Sequence, residues 1–138
     1  MAKVRAKSIV NAQAKAQTHV QAQKLLREYR PTAWRKSALE SAPALSHRAL
    51  LACTEQLRLT QEIVEMLRKN KRLGEKLYWV IYATYMTTQQ SGNIYEILEH
   101  IAKKHEYIPR STYFRIKGRA IGILDSYLEA VTRPVPRM

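Results

Sequence analysis

The sequence predicts an all-α protein. From residue 45 onward, apolar side chains recur at spacings of three and four residues, which is the periodicity of amphipathic helices. Residues 8–28 are rich in Ala, Gln, Lys and Leu, which favour helix. The stretch richest in β-forming residues, 79–85, keeps the helical spacing. With 138 residues, the chain can form one compact domain and an attached arm.

A proline divides the N-terminal third of the chain. A helix over residues 8–28 should end at Pro31, because proline has no amide hydrogen and disrupts a helix interior. Residues 30–46 are then predicted to form a linker. On this interpretation, residues 1–44 are a basic, partly flexible N-terminal helical arm with its linker, and residues 45–138 are a helical domain.

The helix predicted over residues 45–69 has two apolar rows. The first row repeats every seven residues, which is the spacing of a coiled-coil seam. It consists of Leu50, Leu57 and Val64. The second row, at the complementary offset, consists of Cys53, Thr60 and Leu67. Three heptads are few, so packing within the same chain and pairing with a second chain both remain open.

A capping residue marks the start of a later helix. A helix predicted over about residues 73–88 is broken by residues 89–92. Asn93 can then cap the next helix with its side chain. Glu96, three residues on, can return a bond to the amide of Asn93, as in a capping box.

Positive charge is concentrated in two segments. The chain has 24 Lys and Arg against 11 Asp and Glu, which gives a formal net charge of +13. Residues 1–36 contribute +8 and residues 103–119 contribute +5, so these segments account for the whole excess. Such a field favours nucleic acid or an acidic membrane surface. Because the cations of the arm alternate with Ala and Gln, a membrane surface is the weaker choice.

Several protein classes are disfavoured. No apolar run approaches the roughly 20 residues that span a bilayer, and no signal-peptide stretch follows the basic N-terminus, so we expect a cytoplasmic protein. Cys53 is the single cysteine, and the four histidines lack the spacing of metal ligands on one helix face, so we expect no metal site. The sequence has no phosphate loop, and we predict no catalytic residue, no cofactor and no enzyme activity.

A helix-turn-helix is predicted over about residues 93–131. The last helix should begin near Pro109, because proline is tolerated in a first helical turn. The turn before it is short, so the two helices should cross steeply, and the second can enter the major groove of DNA. The residues that follow the last helix, which include Pro134 and Pro136, should form an extended tail.

Nine side chains are predicted to contact DNA. Side chains at the start of the last helix come nearest to base edges. The predicted base-reading residues are Arg110, Ser111, Thr112, Phe114 and Arg115. Four further cations should contact phosphates and fix the register of the protein on DNA. They are Lys103, Lys104, Lys117 and Arg119. The competing interpretation is an ordinary basic helix face in contact with solvent.

Residues 108–124 resemble a known recognition segment. Residues 110–117 read Arg-Ser-Thr-Tyr-Phe-Arg-Ile-Lys, and Ala120 follows. This pattern is similar to that of the ArpU and RinA type of phage late transcriptional regulators, and the similarity covers about residues 73–125. It departs from the family pattern at Pro109, Gly118 and Gly122. The resemblance implies a sigma-factor-like C-terminal helix-turn-helix and a phage or prophage regulator that binds promoter DNA.

The sequence therefore predicts a sequence-specific regulator that binds double-stranded DNA at the bacterial nucleoid. RNA polymerase and a second copy of the chain are candidate partners, and RNA is an alternative ligand for the arm. The alternative function is a phage DNA-packaging protein of the small-terminase kind, which would form a ring of many subunits. The aromatic residues within 78–85 could stack on bases, but their place within a helix favours packing in the core.

Overall fold

The computed structural model describes residues 22–88 and 92–132, and these residues contain helices but no strand, which confirms the all-α prediction. The helices are α1 (residues 22–27), α2 (Tyr29–Glu40), α3 (Pro43–Glu65), α4 (Gly74–Ile81), α5 (Ile94–Lys104) and α6 (Arg110–Thr132). A 3-10 turn, Met66–Lys69, extends α3, and a π-helical turn, Tyr82–Met86, extends α4. The boundaries predicted for the last four helical segments therefore agree closely with the structure.

The expectation that Pro31 stops the helical segment is wrong, although α1 does end at residue 27, close to the predicted end at residue 28. Pro31 lies in the first turn of α2, where the amide of a residue has no partner within its own helix, so the missing hydrogen costs little. Backbone hydrogen bonds continue across the junction with α1. The amide of Glu28 donates to the Lys24 carbonyl, and the amide of Thr32 donates to the Glu28 carbonyl.

The predicted linker over residues 30–46 is mostly helical. Residues 41 and 42 alone separate α2 from α3. The division into an arm over residues 1–44 and a helical domain stays a prediction. The helix predicted for residues 8–21 and the extended tail over residues 133–138 lie outside the described residues.

The apolar rows of α3 pack within the same chain. Leu57 and Val64 of the first row are buried, and Leu50 is half-buried. The three residues of the second row are also buried: Cys53, Thr60 and Leu67. The central cluster continues from α3 into α4 and α6, which contact each other directly. Of the two arrangements left open, the structure therefore shows intramolecular packing.

A hydroxyl pair in the core fixes α6 against the π-helical turn. The side-chain oxygens of Thr84 and Tyr113 are 2.7 Å apart. Thr84 donates its single hydroxyl hydrogen to the Val80 carbonyl at 2.6 Å, so Tyr113 is the donor to Thr84. Burial raises the pKa of Tyr113. This contact joins the buried side of α6 to the π-helical turn.

Arg30 connects α2 with the same turn. Its guanidinium donates to the Thr84 carbonyl at 3.0 Å and to the Thr87 carbonyl at 2.9 Å. It also donates to the Thr87 hydroxyl at 2.7 Å. The last carbonyls of a helix accept no hydrogen bond from an amide of the same helix. The guanidinium of Arg30 supplies donors to carbonyls at this helix end. Partial burial in this position lowers the pKa of Arg30.

The N-terminus of α5 carries the predicted cap with one difference. Asn93 Oδ1 accepts a hydrogen bond from the Glu96 amide at 3.1 Å, as expected for an N-cap. The Glu96 carboxylate accepts from the Gly92 amide at 2.8 Å, and not from the Asn93 amide as predicted. Asn93 is extended, so the chain enters the helix with the preceding amide within reach of the carboxylate. Residues 89–91 of the predicted break lie outside the described residues.

Asn93→Ala is expected to lower the free energy of unfolding by about 1 kcal/mol, because an amide in the first turn loses its acceptor. Asn93→Ser retains a capping oxygen and is the matched control, with little change expected. Urea denaturation followed by circular dichroism measures both. Equal stabilities for the Ala and Ser variants would show that the cap contributes nothing.

Candidate nucleic-acid interface

The helices α5 and α6 are joined by residues 105–109. One side of α6 packs on α4 and α3, and the other side faces solvent. The buried side consists of Tyr113, Ile116, Ala120, Ile121, Leu124, Asp125 and Leu128. Tyr127, three residues after Leu124, is half-buried at the edge of this side. The orientation of α6 therefore leaves a continuous exposed stripe along its outer side.

The exposed stripe of α6 contains two arginines and two glycines. Ser111, Arg115 and Arg119 are all exposed, and at 3.6 residues per turn they fall within about 80° of the helix circumference. Gly118 and Gly122 lie beside them on the same side of α6, and an added Cβ at either glycine would meet no described atom within 4 Å. The helix backbone is therefore accessible along the middle of the stripe, with a guanidinium group on each of two successive turns.

Other predicted contact residues lie on a second side of α6. Arg110 and Phe114 are exposed, with the guanidinium carbon 5.7 Å from the ring centroid. Lys117 is half-buried and lies about 160° round the helix from Arg115. Thr112 is half-buried, which limits its reach toward a ligand. The five predicted base-reading residues therefore do not share one face.

The half-buried Lys117 lies beside an aromatic ring that the sequence did not predict to be near it. Its Nζ lies 5.7 Å from the ring centroid of Tyr85. Burial lowers the pKa of Lys117, and repulsion by Arg27 of α1 lowers it further. The positive charge of Arg27 also lowers the pKa of the Tyr85 hydroxyl, against the larger rise caused by burial. The fold thus holds two like charges near each other, and no local sequence pattern links residues so far apart in the chain.

The cations of α6 form no ion pair with a carboxylate of the described residues, as is also true of Lys69, Lys71 and Arg72, whereas other cations are paired. On α3, Arg58 binds Glu55 and Glu62 at 2.8 Å each. On α5, Lys103 is exposed and lies 3.3 Å from Glu99, and Lys104 is exposed. Within residues 22–88 and 92–132, no carboxylate forms an ion pair with any of the four cations of α6. These are Arg110, Arg115, Lys117 and Arg119.

No family model, curated protein or solved structure matches the chain. The resemblance of residues 73–125 to phage regulators therefore stays a prediction. In the described part of the chain, no helix combines the length and apolar character needed to cross a membrane. The same residues contain no group of three His, Cys, Asp or Glu side chains that could hold a metal ion.

The aromatic residues of α4 and the π-helical turn pack on one another. Ring centroids are 5.0 Å apart for Tyr78 and Trp79 and 5.5 Å apart for Trp79 and Tyr82. The guanidinium of Arg68 lies 3.7 Å above the Tyr78 ring, and Tyr85 is buried. These contacts favour the packing interpretation over base stacking for this group.

Two exposed tyrosines near Arg110 were also missed by the sequence analysis. Tyr95 on α5 is 69% exposed and Tyr107 before α6 is 71% exposed. Both border a groove of about 390 Å³ that Arg110 also lines. A sequence signal did exist for Tyr95, because it lies off the apolar stripe of its helix. Tyr107 lies in the connection between helices, where periodicity gives no information.

Proposed function

We propose that this protein is a phage or prophage transcription regulator that binds double-stranded DNA in a sequence-specific manner. In this proposal, α5 and α6 act as a helix-turn-helix, with α6 in the major groove and α5 across the backbone. The observation that carries it is the set of α6 cations without carboxylate partners in the described chain. Uncompensated cations on an exposed helix favour a polyanionic ligand.

The exposed stripe is the part of α6 proposed to enter the groove. Arg115 is placed to donate two hydrogen bonds to the O6 and N7 atoms of a guanine. Ser111 stands one turn earlier, near the helix N-terminus, where short polar side chains come close to base edges. Gly118 and Gly122 leave the helix backbone uncovered, which supports a close approach to DNA.

The remaining cations are proposed to hold the phosphate backbone. Arg110 precedes Ser111 at the start of α6, and Arg119 extends the stripe toward the C-terminus of α6. Lys117 lies on another side of the helix from Arg115, where it could contact phosphate only at the edge of the bound DNA. Lys103 and Lys104 on α5 are positioned before the turn, where the first helix of such a motif meets the backbone.

The affinity for duplex DNA is expected to fall steeply with salt. Release of counterions from about six phosphates gives a slope of about −5 in a plot of log affinity against log salt concentration. Fluorescence anisotropy with a duplex of random sequence measures this slope. A slope close to zero would contradict a nucleic-acid ligand.

Two arginine variants test whether the phosphate contacts measured by this salt dependence are made by α6. Arg119→Gln should reduce the magnitude of the slope by about 1, because one phosphate contact is lost. Arg58→Gln is the matched control, since its charge is already compensated by Glu55 and Glu62, and the slope should not change. Equal changes for the two variants would place the DNA contact away from α6.

A further inference from the structure

We infer that the groove beside the N-terminus of α6 binds a single unpaired nucleobase of DNA that α6 already holds. This inference rests on the proposed function and adds a second kind of contact to it. The groove lies between α5, the connection and the start of α6, and its volume is about 390 Å³. Its lining residues are Tyr95, Leu98, Glu99, Ala102, Tyr107 and Arg110.

The tyrosine rings of the groove are available for stacking. Neither Tyr95 nor Tyr107 makes a ring contact with another aromatic residue in the described part of the chain, unlike the group around Trp79. They are two of the most exposed large apolar side chains of the described residues. Every nucleobase presents a flat π face, and stacking of bases on aromatic side chains is a general mode of binding unpaired nucleotides.

The charge and size of the groove also fit one base with its phosphate. Arg110 lines the groove and also flanks the proposed DNA-binding stripe, so a base from the bound duplex could reach it without a second binding event. Glu99 also lines the groove, and its exposed carboxylate lies 3.3 Å from Lys103 in the absence of DNA. The volume lies at the low end of the about 300–1,000 Å³ typical of small-ligand pockets.

Residues 1–21 fit the groove less well, because they carry four cations and no acidic residue, so their charge repels that of Arg110.

Two duplexes of identical sequence test the inference with the full chain. One is fully paired, and the other contains one additional unpaired 2-aminopurine. We expect the protein to bind the bulged duplex about tenfold more tightly, with quenching of the 2-aminopurine fluorescence on stacking. The double variant Tyr95→Ala, Tyr107→Ala should bind the paired duplex as the wild type does and lose the preference for the bulge.

Two control variants separate stacking from other effects. The double variant Tyr95→Phe, Tyr107→Phe keeps both rings and should keep the preference. Trp34→Ala removes an aromatic residue on α2 that is 75% exposed and should leave both affinities unchanged. Circular dichroism checks that each variant is folded, and because these side chains are mostly exposed, no loss of structure is expected.

Each alternative outcome overturns the inference in a distinct way. Equal affinity of the wild type for both duplexes, with normal binding of the paired one, removes the inference and leaves the proposed function intact. Absence of binding to either duplex removes both. An equal loss on both duplexes for the Ala variant would assign the rings to paired DNA. A dimer in sedimentation that this variant abolishes would show that a second copy occupies the groove.

Discussion

Arg115→Ala is expected to flatten the preference of the protein among DNA sequences and to retain most of its general affinity for duplexes. Arg115 is exposed in the middle of the proposed contact stripe and has no acidic partner in the described chain. A bidentate contact with guanine discriminates against a wrong base by about 1–3 kcal/mol, which corresponds to about 5-fold to 150-fold. Selection from a random duplex library, followed by competition binding, measures the preference before and after the substitution.

Deletion of residues 1–20 provides the contrast for Arg115→Ala. This segment contributes four cations and no acidic residue, so its loss should weaken binding to all duplexes by a similar factor. The deletion variant should select the same preferred DNA sequence as the wild type. The Arg115→Ala variant should lose the preference for one base pair of that sequence. If both variants lost the same affinity on every duplex, the assignment of base reading to α6 would be wrong.

Gly74→Ala is expected to lower the free energy of unfolding by about 1–3 kcal/mol. A Cβ at Gly74 would lie 2.5 Å from the carbonyl oxygen of Arg68 and 2.9 Å from the carbonyl carbon. Both atoms belong to backbone, so α4 would have to move away from the 3-10 turn. That movement would also disturb the Arg68 guanidinium above the Tyr78 ring. Urea denaturation at constant salt measures the change.

Gly118→Ala is the matched control for Gly74→Ala. Its new methyl group would meet no described atom within 4 Å, and the residue lies in the interior of α6. Alanine favours helix over glycine by about 1 kcal/mol, so this variant should be more stable than the wild type. A Gly74 variant as stable as the Gly118 variant would show that the close approach to Arg68 imposes no constraint.

Local features of the sequence predicted the C-terminal helices well. The capping side chain of Asn93 and the apolar spacing of α5 and α6 are properties of neighbouring residues, so they could be recognised without the fold. The heptad rows of α3 were equally visible, but heptad spacing is the same for a partner helix in the same chain or in another. Burial of Val64 and Leu67 by the rest of the chain resolved that choice.

Features that depend on tertiary packing could not be predicted. Pro31 was expected to end a helix, and the outcome depended on a helix junction that places it in a first turn. The approach of Arg27 to Lys117 joins distant parts of the sequence. The charge count identifies residues 103–119 as a basic segment, but it could not show that Lys117 faces away from Arg115.

Thr84 serves two neighbouring helices through different atoms. Its carbonyl accepts from Arg30 of α2, and its hydroxyl accepts from Tyr113 of α6. α2 has no fully buried side chain and packs mainly along α3, and the Arg30 bonds add a polar attachment to the π-helical turn. A substitution at Thr84 would therefore be expected to disturb the attachment of α2 and the seating of α6 together, although the two helices are far apart in the sequence.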